Sequence, residues 1–224
     1  MYIAEIWRYP VKSMAGERLT EAILGPSGLD GDRRLHVEDR RGRVVTARTH
    51  PRLLGHRART GEDGTVVVDR RPWYDPGLAA AVEALAGQGA QIVPTPQGVF
   101  DVLPLLVATD GAIAAFGHDG RRLRPNLVIG GVSGLDERGW EGYGLRIGEV
   151  VVALADRRGR CVMTTYDPDT LAQDPDVLKS IVRRFDGRLA LNATVAAGGR
   201  IRVGDAVQLV TVGDRRARPQ ASAS

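Results

Sequence analysis

Cys161 is the one cysteine in 224 residues, and its neighbours are unusual. It stands in Arg157-Arg158-Gly159-Arg160-Cys161-Val162-Met163-Thr164-Thr165, directly after three arginines. Flanking cations favour the thiolate, the form of cysteine that acts as nucleophile and as soft-metal ligand. A small hydrophobe packed into a core is the competing reading of the same residue. Four further segments set donors beside turns. Tyr9-Pro10-Val11-Lys12-Ser13 ends an apolar run with one of two lysines and a hydroxyl, and Gly31-Asp32-Arg33-Arg34 follows a Gly-rich turn. Val45-Thr46-Ala47-Arg48 runs along a β-rich segment, and Arg124-Pro125-Asn126 precedes the apolar stretch Leu127-Val128-Ile129. Each alone reads equally well as surface. Together they would supply separate donors to an anionic ring system and its phosphate.

A single thiol excludes an internal disulfide, a four-thiolate iron–sulfur cluster and a CxxC zinc knuckle. The formal net charge of +4 rests on two lysines and 29 arginines. Nine of those arginines fall between Gly31 and Arg59 against three acids, Asp32, Glu38 and Asp39. No Phe, Tyr or Trp occurs from Pro10 to Pro72, so a single-strand stacking platform lacks its faces and no nucleic-acid partner is expected. A compact phosphate-bearing anion suits forked guanidinium donors better, and most of the other arginines read as solvated surface. His36, His50, His56 and His118 fit structural or surface roles, Trp140 an anchor in the core or a loop, and Lys179 an exposed helix face. The charged start of the chain, and the lack of any stretch of about 18 apolar residues, predict a cytoplasmic protein with no membrane span.

These residues need elements to hold them, and the pattern is mostly β. A hydrophobic fraction of 43% with 28 Gly and 12 Pro predicts frequent turns and few long helices. Strands are expected over residues 2–9, 19–24, 35–38, 44–47, 66–68, 103–108, 127–130, 145–155, 161–165, 189–196 and 206–212. Short helices are expected over 77–88, over 110–116 behind an N-capping Thr109, and over 177–185. Pro94 and Pro96 mark a seam.

The motifs, in this order, resemble the MOSC family, named for the C-terminal domain of molybdenum cofactor sulfurase. The family's R-P-N-hydrophobic strand appears at Arg124 to Ile129, and its R-C-x-x-T-T-x-D-P segment at Arg160 to Pro168. The spacer Asp136 to Trp140 and the closing Ile201 to Val207 are also similar. The Tyr9, Gly31 and Val45 segments, with Pro51-Arg52-Leu53, resemble the β-barrel preceding MOSC in amidoxime-reducing enzymes. The resemblance implies a mostly β fold with a few short helices. It implies an N-terminal β-barrel-like domain over residues 1–95 packed on a MOSC β-barrel over 96–213; residues 214–224, with no apolar period, are expected to be a disordered tail.

It also implies a molybdenum–molybdopterin cofactor between the halves, with Cys161 as catalytic metal ligand. Lys12, Ser13, Arg33, Thr46, Arg48, Thr109, Arg124, Asn126 and Arg160 would hold the cofactor. Reductive members of the family take oxygen from N-hydroxylated compounds such as amidoximes and hydroxylamines. With no iron–sulfur cluster in this chain, electrons would come from a separate ferredoxin, flavoprotein reductase or cytochrome. A non-catalytic cofactor carrier, and metal-free sulfur transfer through a Cys161 persulfide, are the alternatives. The chain departs from the pattern in three places. Met14 replaces a frequent cysteine, Gly111-Ala112 replace a serine-bearing stretch with a phosphate donor, and Leu171 replaces the Gly of a D-P-x-T-G turn.

Overall fold

A computed structural model describes residues 1–211; the tail expected over 214–224 lies outside them. The first half runs β1 (Tyr2–Arg8), β2 (Glu17–Leu19), β3 (Glu21–Gly25), β4 (Gly28–Leu29), β5 (Leu35–Glu38) and β6 (Val44–Val45). It continues through β7 (Ala58–Thr60), β8 (Val66–Val68), β9 (Arg71–Pro72), helix α1 (Pro76–Ala86) and β10 (Gln91–Pro94). The second half has β11 (Leu105–Thr109), α2 (Asp110–Phe116), β12 (Leu127–Gly130), β13 (Tyr143–Ile147) and β14 (Val150–Gly159). It closes with α3 (Pro175–Phe185), β15 (Arg188–Ala197), β16 (Gly199–Arg202) and β17 (Gln208–Thr211).

Among the described residues the architecture is mostly β with three α-helices, as expected. Its main sheet has eight strands in the order β17-β13-β14-β15-β11-β12-β1-β2. Among the described residues its outer strands β17 and β2 do not pair, so the sheet is open where a closed barrel was expected. Three sheets of three strands, β10-β5-β6, β16-β3-β4 and β7-β8-β9, complete the fold.

The two halves of the sequence are interlaced. β1 pairs antiparallel with β12, Ile3 opposite Ile129 and Ile6 opposite Leu127, while β3 pairs with β16 of the second half. Ile3, Ile6, Leu24, Leu127, Ile129 and Leu145 therefore bury their side chains in one core, which also takes in Trp140. A second core beneath α1 is built from first-half residues such as Val11, Met14, Leu35, Leu53 and Val82.

Four local expectations need correction. Residues 161–165 are not a strand: Cys161 is extended and Val162–Thr165 form a single 3-10 turn. The hydroxyls of Thr164 and Thr165 donate back to the carbonyls of Cys161 and Val162 at 2.8 and 2.7 Å, coiling residues whose branched side chains favour strands. The stretch 145–155 is a hairpin, turned at Gly148 with φ 56°. Residues 19–24 split between β2 and β3. The strand at 44–47 stops at Val45, because the Thr46 carbonyl accepts the amides of Thr49 and His50.

Two of the departures have structural explanations. Asp75 and Thr109 cap α1 and α2 through their side chains, and just inside the second cap a Cβ on Gly111 would lie 2.5 Å from the carbonyl oxygens of Val132 and Gly134. No side chain fits there. Leu171 has φ 60°, the left-handed conformation that favours the Gly of the family turn, and its side chain packs on the second core. Gly111→Ala is expected to lower stability by about 1–3 kcal/mol through this overpacking. Urea denaturation would show a reduced midpoint at constant slope; an unchanged midpoint would mean that the 131–134 loop yields.

Candidate functional site

A cavity of about 270 Å³ is walled by the segment after β1, the loop leading into β11, β11 itself, the segment before β12 and the end of β14. Nine of the ten residues singled out from the sequence line it: Lys12, Ser13, Arg33, Thr46, Arg48, Arg124, Asn126, Arg160 and Cys161. They arrive from five separate stretches of chain. Thr109 does not line it. Its hydroxyl is fully buried, accepts the Ala112 amide as the cap of α2 and donates to Glu137, so its side chain is used in holding the helix.

Seven cationic side chains, Lys12, Arg33, Arg48, Arg122, Arg124, Arg158 and Arg160, line the cavity against two carboxylates, Asp101 and Asp156. Like charges at this density are tolerable only if each is partnered or solvated. Asp101 does most of this work, accepting Lys12 Nζ at 2.6 Å, Arg48 Nη2 at 2.7 Å and Arg158 Nη2 at 3.3 Å. Burial alone would raise the Asp101 pKa, but Lys12, Arg48 and Arg158 outweigh it and hold the carboxyl below its usual range. Lys12 is pulled down, by burial first and then by Arg33 and Arg48, with Asp101 opposing. For Arg48, burial acts against the charge, yet contact with Cys161 and Asp101 prevails and its pKa is raised.

Tyr9 is the other organiser. The Arg124 and Arg33 guanidinium carbons lie 4.3 and 4.9 Å from its ring centroid, a stabilising cation–π geometry. Burial pushes the Tyr9 phenol up to about 12, and its hydroxyl donates to the Pro125 carbonyl at 3.1 Å. Burial lowers Arg124 and Arg160 to about 10. Arg124 Nη2 donates to the Met14 carbonyl at 2.7 Å and Arg160 Nη2 to the Leu123 carbonyl at 2.7 Å. Among the described residues the buried Nε of Arg160 has no hydrogen-bond partner.

The backbone is bent to aim these groups. Ser13, Arg33 and Arg124 have φ of 70°, 51° and 56°, each costing roughly 1–2 kcal/mol for a residue with a Cβ. Such strain persists only where surrounding structure enforces it. At Ser13 the Oγ accepts the Ala47 amide at 3.0 Å, and at Arg33 the amide donates to the Tyr9 carbonyl at 2.8 Å. Asn126, almost wholly buried, accepts the Leu106 amide at 3.1 Å and Arg33 Nη1 at 3.3 Å, and donates to the Trp7 carbonyl at 3.2 Å. It staples β1 to the start of β12 while orienting Arg33. Cys161 is half-buried, its carbonyl held by Thr164 in the 3-10 turn. That turn is tied down by Arg122, which reaches the Thr164 carbonyl and Asp167.

Sequence reasoning missed Asp101, Arg122, Asp156 and Asn192, and took Arg158 only as a cation flanking Cys161. Strand alternation would have found part of this group, because Asp156 and Arg158 on β14 and Arg160 just past its end sit two apart and all line the cavity, while Arg157 pairs with Glu141. Asn192 on β15 accepts Arg158 Nη1 at 2.9 Å and donates to Asp156 at 3.0 Å. Asp101 sits in a loop with no local signal.

Residues 1–97 match the MOSC N-terminal beta barrel domain and residues 112–208 match the MOSC domain. The chain therefore belongs to the MOSC proteins, with both domains of the two-domain members present. Mitochondrial amidoxime reducing component 2 of Homo sapiens is 26% identical over 92% of this chain and 82% of its own length. Mitochondrial amidoxime-reducing component 1 of Mus musculus is 28% identical over 93% and 82%. The crystal structure of the YUAD protein of Bacillus subtilis matches with a TM-score of 0.51 at 13% identity, covering 94% of this chain and 95% of that one, a likeness of fold.

Two outcomes follow from the geometry. Asn126→Ala would strand the Leu106 amide and the Trp7 carbonyl, lowering stability by about 1–3 kcal/mol; a denaturation midpoint equal to wild type would show that water replaces the amide. Tyr9 ionises near 10 when unfolded but holds its proton to about 12 when folded. Its contribution, measured as wild type minus Tyr9→Phe, should be full below pH 10 and be lost as the pH rises towards 12. A difference that stays flat across that range would place the phenol in contact with solvent.

Proposed function

We propose that this cavity binds a molybdenum–molybdopterin cofactor, and that the loaded protein reduces N-hydroxylated compounds with electrons from a separate redox protein. The observation that carries the reading is a half-buried thiol facing a cavity whose seven cations outnumber its acids and whose Arg160 Nε has no partner. The donor set suits such a group. Among the described residues no three His, Cys, Asp or Glu side chains gather to hold a bare ion. A metal here would take one ligand from the chain, the Cys161 sulfur, and bring the others with it, as a sulfur-bearing pterin does. When bound, the cofactor supplies the two-electron chemistry that releases the N-hydroxyl oxygen as water.

The chain's share is placement. Cys161 would ligate the metal, its backbone fixed by Thr164 and by Arg122 behind it. Arg160 would donate its unpartnered N–H to the anionic scaffold. Ser13, Thr46 and the cations of both halves would hold the phosphate and ring, with Tyr9 and Asn126 keeping Arg33 and Arg124 in line. The mostly buried Lys12 and Arg124 would act at low local dielectric, where charge-assisted hydrogen bonds are strong. The names of the amidoxime reducing relatives support the substrate class.

Expression in a host that makes the cofactor, followed by metal analysis, should give molybdenum near one per chain, and benzamidoxime should turn over with reduced methyl viologen. Loading without turnover would point to the carrier function, and no molybdenum with a sulfane-loaded Cys161 to sulfur transfer. Cys161→Ser should abolish turnover with the fold retained, because a hydroxyl is a poor soft-metal ligand. Arg124→Ala should lower cofactor content by removing charge-assisted hydrogen bonds worth about 1.5–3 kcal/mol each; unchanged occupancy would remove Arg124 from the binding set.

A further inference from the structure

The strap 95–104 joins β10 to β11 across the cavity mouth. Its first half is pinned to the first-half domain, with the Thr95 amide donating to the Arg34 carbonyl at 2.7 Å and the Val99 amide to the Arg33 carbonyl at 3.1 Å. Among the described residues no backbone hydrogen bond holds Phe100 to Leu103, and Val102 at their centre is 56% exposed. Besides the Phe100 ring, whose centroid lies 6.0 Å from the Arg33 guanidinium carbon, this half of the strap is tied down by the side-chain hydrogen bonds of Asp101. Its carboxylate joins Lys12 from the segment after β1, Arg48 from the segment after β6 and Arg158 from β14. One carboxylate drawing cations from three elements is the arrangement that a phosphate, with more oxygens and more charge, would take in its place.

We propose that Lys12, Arg48 and Arg158 form a phosphate subsite that the chain itself keeps closed with Asp101, and that an incoming phosphate displaces the carboxylate and lifts residues 100–103. The bonds holding Asp101 are all to side chains, so the exchange leaves the strand framework intact. The other carboxylate of the cavity differs. Asp156 accepts from Asn192, and none of the three cations is bonded to it. The two acids carry equal charge but only one occupies the nest. The displaced carboxylate remains in reach of solvent, being 27% exposed where it stands. A self-closing nest also discriminates. A monovalent anion must compete with a carboxylate of its own charge, whereas a phosphate dianion gains an additional charge against the same three cations.

This deepens the cofactor reading, since that phosphate would enter here, yet inorganic phosphate tests it without metal and a failure of molybdenum loading would leave it standing. Calorimetric titration of the full-length, metal-free chain at low ionic strength is the experiment. A subsite that Asp101 keeps closed most of the time has its affinity multiplied by the small open fraction, so Asp101→Asn should bind phosphate at least about tenfold more tightly than wild type. Asp156→Asn removes the same charge without opening the nest and should change affinity by no more than about threefold, as a screened neighbour. Equal gains in the two variants, no gain in Asp101→Asn, or no phosphate binding in any form would overturn the proposal. Should Asp101→Asn fail to fold, wild-type amide chemical shifts decide: phosphate should move those of residues 100–103, and shifts confined to Lys12, Arg48 and Arg158 would overturn it.

Discussion

The crowding of seven cationic side chains into one cavity is the constraint around which this structure is arranged. In water the groups would separate. Here they are held together, and each needs something to offset the repulsion and loss of solvent that result. Asp101 supplies a shared counter-ion for three of them, the Tyr9 ring lies against two, and backbone carbonyls take the tips of Arg124 and Arg160. Positive charge at this density, with one guanidinium N–H still unpartnered, favours an anionic occupant over a neutral one.

The interlaced topology follows from the same demand. Lys12 and Ser13 come from the segment after β1, Arg33 from the entry to β5, and Arg124, Arg158 and Arg160 from the second half. Were the halves two separate bodies joined by a linker, their relative motion would separate these donors by more than a hydrogen bond allows. Pairing β1 with β12 and β3 with β16 puts part of the first half into the core of the second, so the cavity walls belong to one framework. Asn126 completes the join by bonding to both halves from beneath Arg33. The left-handed backbone at Ser13, Arg33 and Arg124 is the local cost of aiming side chains from turns, and it is tolerated because that framework is rigid.

Much of this was legible from residues alone, where the signal is local or lies in a motif. β5, β8 and β12, the helices capped by Asp75 and Thr109, and nine cavity residues all followed from short patterns. Misreadings arose where a side chain overruled propensity. Thr164 and Thr165 look like strand formers, but their hydroxyls bond to preceding carbonyls and coil the chain after Cys161. Thr109 is legible as a cap and is one, and the buried Glu137 beside it takes its one hydroxyl proton, leaving no donor for an anion.

The amino-acid sequence by itself determined the chemistry of the site: one thiol, a surplus of guanidinium donors, and the order of motifs that place this chain among the MOSC proteins. Residue types and spacing along the chain carry that information directly. Only the tertiary structure decided which donors converge, that Asp101 neutralises three of them, that the main sheet stays open, and that Asn126 is a staple. Those facts depend on contacts between residues as much as 119 positions apart, such as Asn126 and Trp7. Local periodicity holds no record of such distances.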